Sequence, residues 1–426
     1  MKALYRCLMV ASLSLAGLGA EADRAAAFDV VLSSQGEYLD AYLVKPTGIE
    51  RKAFVVPDDP AHGGRHINGK ICFFPESAPS AYHGKLVASD DTFDEACDAT
   101  VAADGASARC SRNDGGGQLN PTFVGDDPPG WVVLNNDGSW FDRRVIHTRG
   151  CGPDGQGGTC DLGTGSPGTV DPQGCFFDAA GNLWGTDVGH DGDFTNHDGV
   201  LVVFFADGDY RDYCIVADTL LSPAMPAYTL DTFGLRLENI YLPQSGGGNI
   251  LRLTNVIGPV LGFPQSRADC PGNDHKVALG PLTLPFTLPV LSGSLTPASI
   301  VRKPSTQNWY VASVLLPAAI LEYDFLGLLV GSALPPLAMP KNPEGLDVGS
   351  DGTIYYSELN LQTDVLAGEF FSTGCGSVSK YKPGDPAPTT LAEHLRFPDG
   401  ITVVDSAKLD LTNLASPSDE TFCASE

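Results

Sequence analysis

The sequence predicts an all-β fold, a six-bladed β-propeller, with seven blades as the alternative. Three observations support this prediction. The chain has 49 glycines and 32 prolines among 426 residues but only 18% charged residues, which favours short strands and turns over helices. Several segments alternate apolar and polar residues with the period of two of a half-buried antiparallel strand. Glycines at strand starts recur 60, 111 and 55 residues apart, at Gly174, Gly234, Gly345 and Gly400.

The repeating unit is a strand after a glycine, a tight turn, a second strand and an alternating third strand. Third strands are predicted at residues 199–205, 249–254, 319–324 and 377–382. The interval of 111 residues is close to two units, so a further unit is predicted to begin near 296–304, with 308–314 as its second strand. Upstream, residues 66–77 and 130–142 predict one or two more blades.

Ring closure is expected to use the N-terminal segment. The 26 residues after Gly400 are too few for a four-stranded blade, and residues 28–44 can supply the missing strands. Closure of this kind hides the sheet edges. Residues 28–426 are therefore predicted to form one propeller domain. Segments at about 86–127 and 147–170 are rich in Gly, Asp and Cys, and we expect them to be disulfide-held insertions.

The first 27 residues have the pattern of an export signal. Lys2 and Arg6 precede an apolar run at 8–20, which is too short for a stable membrane span. Ala-Glu-Ala at 20–22 and Ala-Ala-Ala at 25–27 are candidate cleavage sites with the small-x-small pattern. We expect a secreted or periplasmic protein. Its ten remaining cysteines, without a C-x-x-C pair, predict disulfides and not a thiolate metal site. The nearest pairings in sequence are Cys97–Cys110 and Cys151–Cys160.

The formal net charge of −26 disfavours nucleic acid and anionic lipid as partners, and it favours divalent cations. We expect a monomer without stable membrane insertion. Its partner is expected to be a small-molecule substrate or an extracellular binding partner.

Three Pro-x-Gly motifs precede predicted strands and place Gln173, Glu344 and Asp399 between proline and glycine. Proline fixes the approach to the strand, and glycine permits a tight bend. Because the first strand of each propeller blade lines the central channel, these three side chains are predicted to meet at the channel mouth. Converging oxygens suit a hard cation such as Ca²⁺. The alternative is that all three are ordinary turn residues.

These motifs resemble those of the SMP-30/gluconolactonase/strictosidine-synthase-like six-bladed propellers, over residues 171–405. The resemblance implies a divalent metal held by Gln173, Glu344 and Asp399, in positions where the family has Glu, Asn and Asp. Residue types are thus permuted, although two carboxylates and one amide remain. NHL-repeat propellers have a similar strand-start pattern, and they are often binding platforms.

A second candidate metal site is the loop "DVGHDGDFTNHD" at 187–198. It combines histidines with carboxylates, a ligand set that suits zinc or another transition metal, although such loops are also common as plain turns. The candidate ligands are Asp187, His190, Asp191, Asp193 and His197. Asp187 ends a second strand at the place that Glu358 holds in its own unit.

Two functions follow from these observations. The first is a metal-dependent hydrolase of a small lactone or ester, with Asp399 as a metal ligand and catalytic base. The second is a non-catalytic propeller that binds a protein, peptide or glycan. Signatures of serine hydrolases, zincins and P-loop enzymes are absent from the sequence.

Overall fold

The architecture is taken from a computed structural model of the chain. The structure describes residues 28–35, 39–54, 67–90, 130–148, 172–188, 199–231, 237–255, 262–272, 275–277, 282–286, 296–304, 306–315, 317–364, 369–372, 375–395 and 397–417. The candidate signal at 1–27 and both local cysteine pairs lie outside these residues.

Six four-stranded antiparallel sheets form the blades of a propeller, which confirms the predicted fold and the blade number. The strands of blade 1 are β4 (Ile67–Phe73), β5 (Leu86–Asp90), β6 (Gly130–Leu134) and β7 (Trp140–Ile146). Those of blade 2 are β8 (Pro172–Phe177), β9 (Leu183–Asp187), β10 (Gly199–Phe204) and β11 (Tyr213–Leu220). Those of blade 3 are β12 (Ala227–Asp231), β13 (Leu237–Gln244), β14 (Asn249–Thr254) and β15 (Leu282–Phe286).

The remaining blades follow the same pattern. Blade 4 contains β16 (Pro297–Arg302), β17 (Trp309–Ser313), β18 (Ala319–Tyr323) and β19 (Leu329–Ser332). Blade 5 contains β20 (Pro343–Val348), β21 (Ile354–Glu358), β24 (Gly376–Tyr381) and β25 (Thr389–Leu395). A separate hairpin of β22 (Leu361–Asp364) and β23 (Glu369–Ser372) is inserted between β21 and β24. The four predicted third strands correspond to β10, β14, β18 and β24.

Blade 6 joins the two ends of the described chain. Its inner strand is β26 (Ile401–Asp405), which pairs with β1 (Asp29–Ser34), followed by β2 (Leu39–Lys45) and β3 (Gly48–Phe54). The N-terminal segment therefore supplies three strands of this blade, and the sheet has no break where the ring closes.

Helical structure in the described part of the chain is confined to 3₁₀ turns at Ser80–Tyr82, Ala206–Gly208, Arg267–Asp269 and Ser406–Lys408. None of the described helices is long and apolar enough to cross a membrane. The core consists mainly of apolar clusters between neighbouring blades. For example, Trp131 of blade 1 and Phe204 of blade 2 meet edge to face, with ring centroids 5.4 Å apart.

The structure decides between the alternatives left open for the upstream part of the repeat. The segments at 66–77 and 130–142 belong to a single blade, because β4 and β6 are both strands of blade 1. The predicted strand start at Gly234 lies outside the described residues, and the described inner strand of blade 3, β12, begins at Ala227. Proline is the better marker, because Pro172, Pro297 and Pro343 each begin an inner strand.

Candidate functional site at the channel mouth

The inner strands β4, β8, β12, β16, β20 and β26 run side by side around the propeller axis, and all begin at the same end. We call this end the mouth. The residues that follow Pro172, Pro226, Pro297 and Pro343 at the mouth are Gln173, Ala227, Ala298 and Glu344. Blade 6 places Asp399 after Pro398, and blade 1 places Asn68 after Ile67. Four consecutive blades, 5, 6, 1 and 2, therefore carry a polar residue there, whereas blades 3 and 4 carry alanine.

Irregular pairing separates the mouth from the regular part of four inner strands. The register to the second strand shifts between Pro172 and Gly174, and between Pro343 and Leu346. Corresponding shifts lie between Asn68 and Ile71 in blade 1 and between Pro297 and Ser299 in blade 4. A bulge re-aims the side chains of the residues that it contains.

The glycines of the motifs allow neighbouring inner strands to approach closely. A Cβ on Gly69 would overlap the backbone carbonyl of Gln173, one on Gly400 would overlap the carbonyl of Gly69, and one on Gly345 would overlap the carbonyl of Asp399. The starts of β20, β26, β4 and β8 are therefore packed against one another in this order. Gly345 and Gly400 do not have a positive φ, so these positions require glycine for the close approach of the strands and not for a bend alone.

Gly69 gives a direct test of this packing. Gly69→Ala should destabilise the fold by about 1 kcal/mol for its left-handed backbone, with φ at 58°, and by a further 1–3 kcal/mol for the overlap with Gln173. Gly352→Ala is the matched control, because Gly352 has a φ of 85° but nothing within 4 Å of the added Cβ. Urea unfolding of both variants measures the difference. Equal losses of stability would contradict the close approach at the mouth.

Asp399 is the most buried of the predicted mouth residues, with 1% of its surface exposed. Its Oδ2 accepts a hydrogen bond from the backbone N–H of Gly69 at 2.5 Å. Its Oδ1 is buried and accepts no hydrogen bond from the described residues. Burial raises the pKa of the Asp399 carboxyl to about 7, although the Gly69 N–H opposes that shift. An orphaned, buried carboxylate oxygen is costly unless a proton or a cation compensates it.

Two serines hold the backbone around Asp399. Ser34 Oγ accepts from the Gly400 N–H at 2.7 Å and donates to the Gly69 carbonyl at 3.0 Å. Ser357 Oγ accepts from the Gly345 N–H at 2.8 Å and donates to the Asp399 carbonyl at 2.5 Å. Both serines come from second strands, so each bonds a pair of neighbouring inner strands together. The position of Asp399 is thus set by three blades.

Two amide residues at the mouth were missed from the sequence. Asn68 precedes Gly69, and 5% of its surface is exposed. The sequence "ING" at 67–69 has the glycine of the Pro-x-Gly motifs but isoleucine in place of the proline, so the motif did not identify Asn68. Gln35 follows β1 at the same end. Its Nε2 donates to Ser33 Oγ at 2.9 Å, and its buried Oε1 accepts no hydrogen bond from the described residues. No sequence pattern distinguishes Gln35.

The channel below the mouth contains a further carboxylate, Asp347 of β20. Its Oδ2 accepts from the Val403 N–H of β26 at 2.8 Å. Burial raises its pKa, while the charge of Lys70 on β4 and the N–H groups of Val403 and Val348 oppose the shift. The side chain spans neighbouring inner strands, and it was not among the predicted site residues.

The second candidate metal site falls mostly outside the described residues, since His190, Asp191, Asp193 and His197 lie at 189–198. Asp187 is described and buried, and it ends β9 opposite Pro172. Glu358 ends β21 opposite Pro343, so the two do occupy equivalent places. Glu358 has a structural role, because its carboxylate accepts hydrogen bonds from the Lys341 N–H and from the hydroxyls of Ser377 and Ser379.

No group of three or more His, Cys, Asp or Glu side chains within the described ranges could hold a metal ion. The mouth has a different composition, with two carboxylates, Glu344 and Asp399, and the amides of Asn68 and Gln173. Oxygen donors of this kind suit Ca²⁺. The buried, orphaned Oδ1 of Asp399 is compatible with such a cation.

No protein-family model and no curated protein matches the sequence. Among solved structures, the chain is similar to a gluconolactonase of Xanthomonas campestris, with 12% identity over 78% of this chain and 83% of that one and a TM-score of 0.42. It is also similar to the periplasmic gluconolactonase of Pseudomonas aeruginosa, with 11% identity over 89% of this chain and 99% of that one and a TM-score of 0.41. Similarity at this level establishes no shared activity.

Proposed function

We propose that the protein is a divalent-cation-dependent hydrolase of a small lactone or ester, and that the reaction takes place at the mouth. The observation that carries the proposal is Asp399. It is buried among the starts of three neighbouring inner strands, one of its oxygens is orphaned, and its pKa is raised to about 7. A buried group with a strongly perturbed pKa among other polar groups is a candidate for chemistry.

Asp399, Glu344, Asn68 and Gln173 would hold the cation, which we propose to be Ca²⁺. Asn68 extends the ligand set predicted from the sequence. A cation bound there supplies Lewis-acid polarisation of a carbonyl oxygen and favours the ionisation of water. At the position after the proline, blades 3 and 4 carry the apolar residues Ala227 and Ala298 instead of a polar side chain. We propose that the apolar part of a small substrate lies on the side of these two blades.

In the metal-free protein the raised pKa of Asp399 also makes its carboxylate a proton acceptor near neutral pH. The Gly69 N–H holds Oδ2, and Oδ1 has two lone pairs, so one would face the cation and the other would accept a proton from an attacking water. The water oxygen adds to the carbonyl carbon, the ester C–O bond breaks, and the leaving oxygen takes up the proton. From a lactone the product is a single hydroxy acid.

A binding platform is the second candidate function, and a different surface supports it. Blade 4 exposes apolar side chains in the turn between β18 and β19, on β19 itself and on the loop that follows β19. Its members, each at least half exposed, are Phe325, Leu326, Leu328, Val330, Leu337 and Met339. Exposed apolar patches often mark interaction sites.

Two long-range disulfides, Cys72–Cys175 and Cys214–Cys270, lie within the described residues, and Cys375 is disulfide-bonded as well. Such bonds persist in oxidising compartments. We therefore propose that the mature protein is secreted or periplasmic.

The hydrolase proposal is tested with the metal-free protein. Adding Ca²⁺, Mg²⁺, Mn²⁺ or Zn²⁺ should stabilise the fold by about 2.7 kcal/mol at a hundredfold excess over the dissociation constant. The same cation should restore hydrolysis of some members of a panel of lactones and esters, measured by proton release. Cation binding without hydrolysis would favour the binding platform. The absence of any cation effect would contradict both the mouth site and the hydrolase.

A further inference from the structure

The Cys72–Cys175 disulfide links the inner strands of two neighbouring blades close to the mouth. Cys72 lies on β4 and Cys175 on β8, and their Cα atoms are 6.1 Å apart. Cys175 is two residues from Gln173, which corresponds to about 7 Å along a strand. Both cysteines are buried between blades 1 and 2, within the apolar cluster that joins the blades.

Other pairs of neighbouring blades are joined at this level by hydrogen bonds to main-chain carbonyls. Thr402 Oγ1 of blade 6 donates to Ile71 of blade 1 at 2.7 Å, and Thr186 Oγ1 of blade 2 donates to Ala224 before blade 3 at 2.9 Å. The Met225 N–H donates to Ala298 of blade 4 at 2.8 Å. The Ser357 hydroxyl of blade 5 donates to Asp399. Between blades 1 and 2 the disulfide joins the inner strands, together with the bond from Trp131 Nε1 to Gly174 O at 3.2 Å.

The contact between blades 1 and 2 separates the candidate cation ligands at the mouth into two groups. Glu344 and Asp399 lie on one side of it with Asn68, and Gln173 lies on the other. The Gly69 N–H that holds Asp399 Oδ2 belongs to a residue that also packs against Gln173. A shift between β4 and β8 would therefore move Gln173 away from the other candidate ligands and disturb the Gly69 N–H that Asp399 accepts from. The inner strands of different blades belong to separate sheets, so no ladder of hydrogen bonds opposes such a shift.

We propose that Cys72 and Cys175 are positioning residues for cation binding, and that their covalent bond keeps Gln173 in reach of the ligands on the neighbouring blades. The proposal rests on the cation site proposed above. The Cys214–Cys270 bond has no such role, because it joins β11, at the outer edge of blade 2, to the segment at 262–272.

The second disulfide provides the matched control. The two bonds span 103 and 56 residues, so removing either one increases the conformational entropy of the unfolded chain by a similar amount. The test variants are Cys72→Ala with Cys175→Ala, and Cys72→Val with Cys175→Val, which keeps more of the buried apolar volume. The control is Cys214→Ala with Cys270→Ala. Calorimetry measures the dissociation constant for Ca²⁺, and hydrogen exchange measures protection of the segment Ile67–Phe73.

We expect both test variants to bind Ca²⁺ at least tenfold more weakly than the wild type. The backbone amides of Ile67–Phe73 should exchange hydrogen at least tenfold faster in both, while the control matches the wild type in affinity and in exchange. Unchanged affinity and exchange in the test variants, or equal changes in the control, would overturn the positioning role. A wild type that binds no divalent cation would overturn the proposed site itself. Weaker affinity in the alanine variant but not in the valine variant would assign the effect to packing and would also overturn the proposal.

Discussion

Replacing Glu344 by Gln together with Asp399 by Asn should reduce the cation affinity of the mouth at least about a hundredfold. The change removes both formal negative charges with little change in shape, and a hundredfold loss corresponds to about 2.7 kcal/mol. At a cation concentration that stabilises the wild type by about 2.7 kcal/mol, the variant should gain only about 0.4 kcal/mol. Urea unfolding with and without cation measures both gains.

The matched control removes the same charge from the surface of blade 5. Asp385 and Glu393 are both exposed, so Asp385→Asn with Glu393→Gln lowers the net negative charge equally without touching the mouth. This control should keep the cation-dependent gain, because long-range attraction by an exposed charge is largely screened at physiological salt. Retention of the gain by the mouth variant, or its loss in the control, would place the site elsewhere. Any lactone or ester hydrolysis should fall in parallel with cation binding.

Asp399→Asn should make the metal-free protein more stable above neutral pH. The folded pKa of about 7 lies above the reference value of 3.8 for an aspartate, so the native state binds the proton more tightly than the unfolded state does. The wild type should therefore lose stability as pH rises from about 4 to about 7. The loss relative to the variant is on the order of 4 kcal/mol, since each unit corresponds to about 1.4 kcal/mol.

Chemical unfolding in the presence of a chelator, at pH 4, 6 and 8, measures this difference. The two proteins should be similar at pH 4, and the variant should be the more stable at pH 8. Bound cation should reduce or reverse the difference, because it stabilises the carboxylate that the variant lacks. A difference independent of pH would show that Asp399 does not titrate in this range. Asp347→Asn provides a comparison within the same channel, as burial also raises the pKa of that carboxyl.

The sequence by itself determined the class of fold and most of its strands. Alternation with a period of two is a local property, so β10, β14, β18 and β24 could be placed without any knowledge of their partners. The shortage of residues after Gly400 predicted closure by the N-terminal segment. The Pro-x-Gly motifs also identified Gln173, Glu344 and Asp399 as strand-start residues, because a strand start has a recognisable local pattern.

Only the tertiary structure decided which strand starts are neighbours and what surrounds them. Asn68 joins the mouth through β4, although its motif lacks the proline, and Gln35 joins it from the end of a second strand. The burial of Asp399 and its bond to Gly69 depend on contacts between residues 330 positions apart. The disulfide partners of Cys72 and Cys214 were equally inaccessible, since sequence proximity favoured local pairs. Burial, pKa and cross-links are set by the packing of separate blades around an axis, and a period of two along one strand contains no information about that packing.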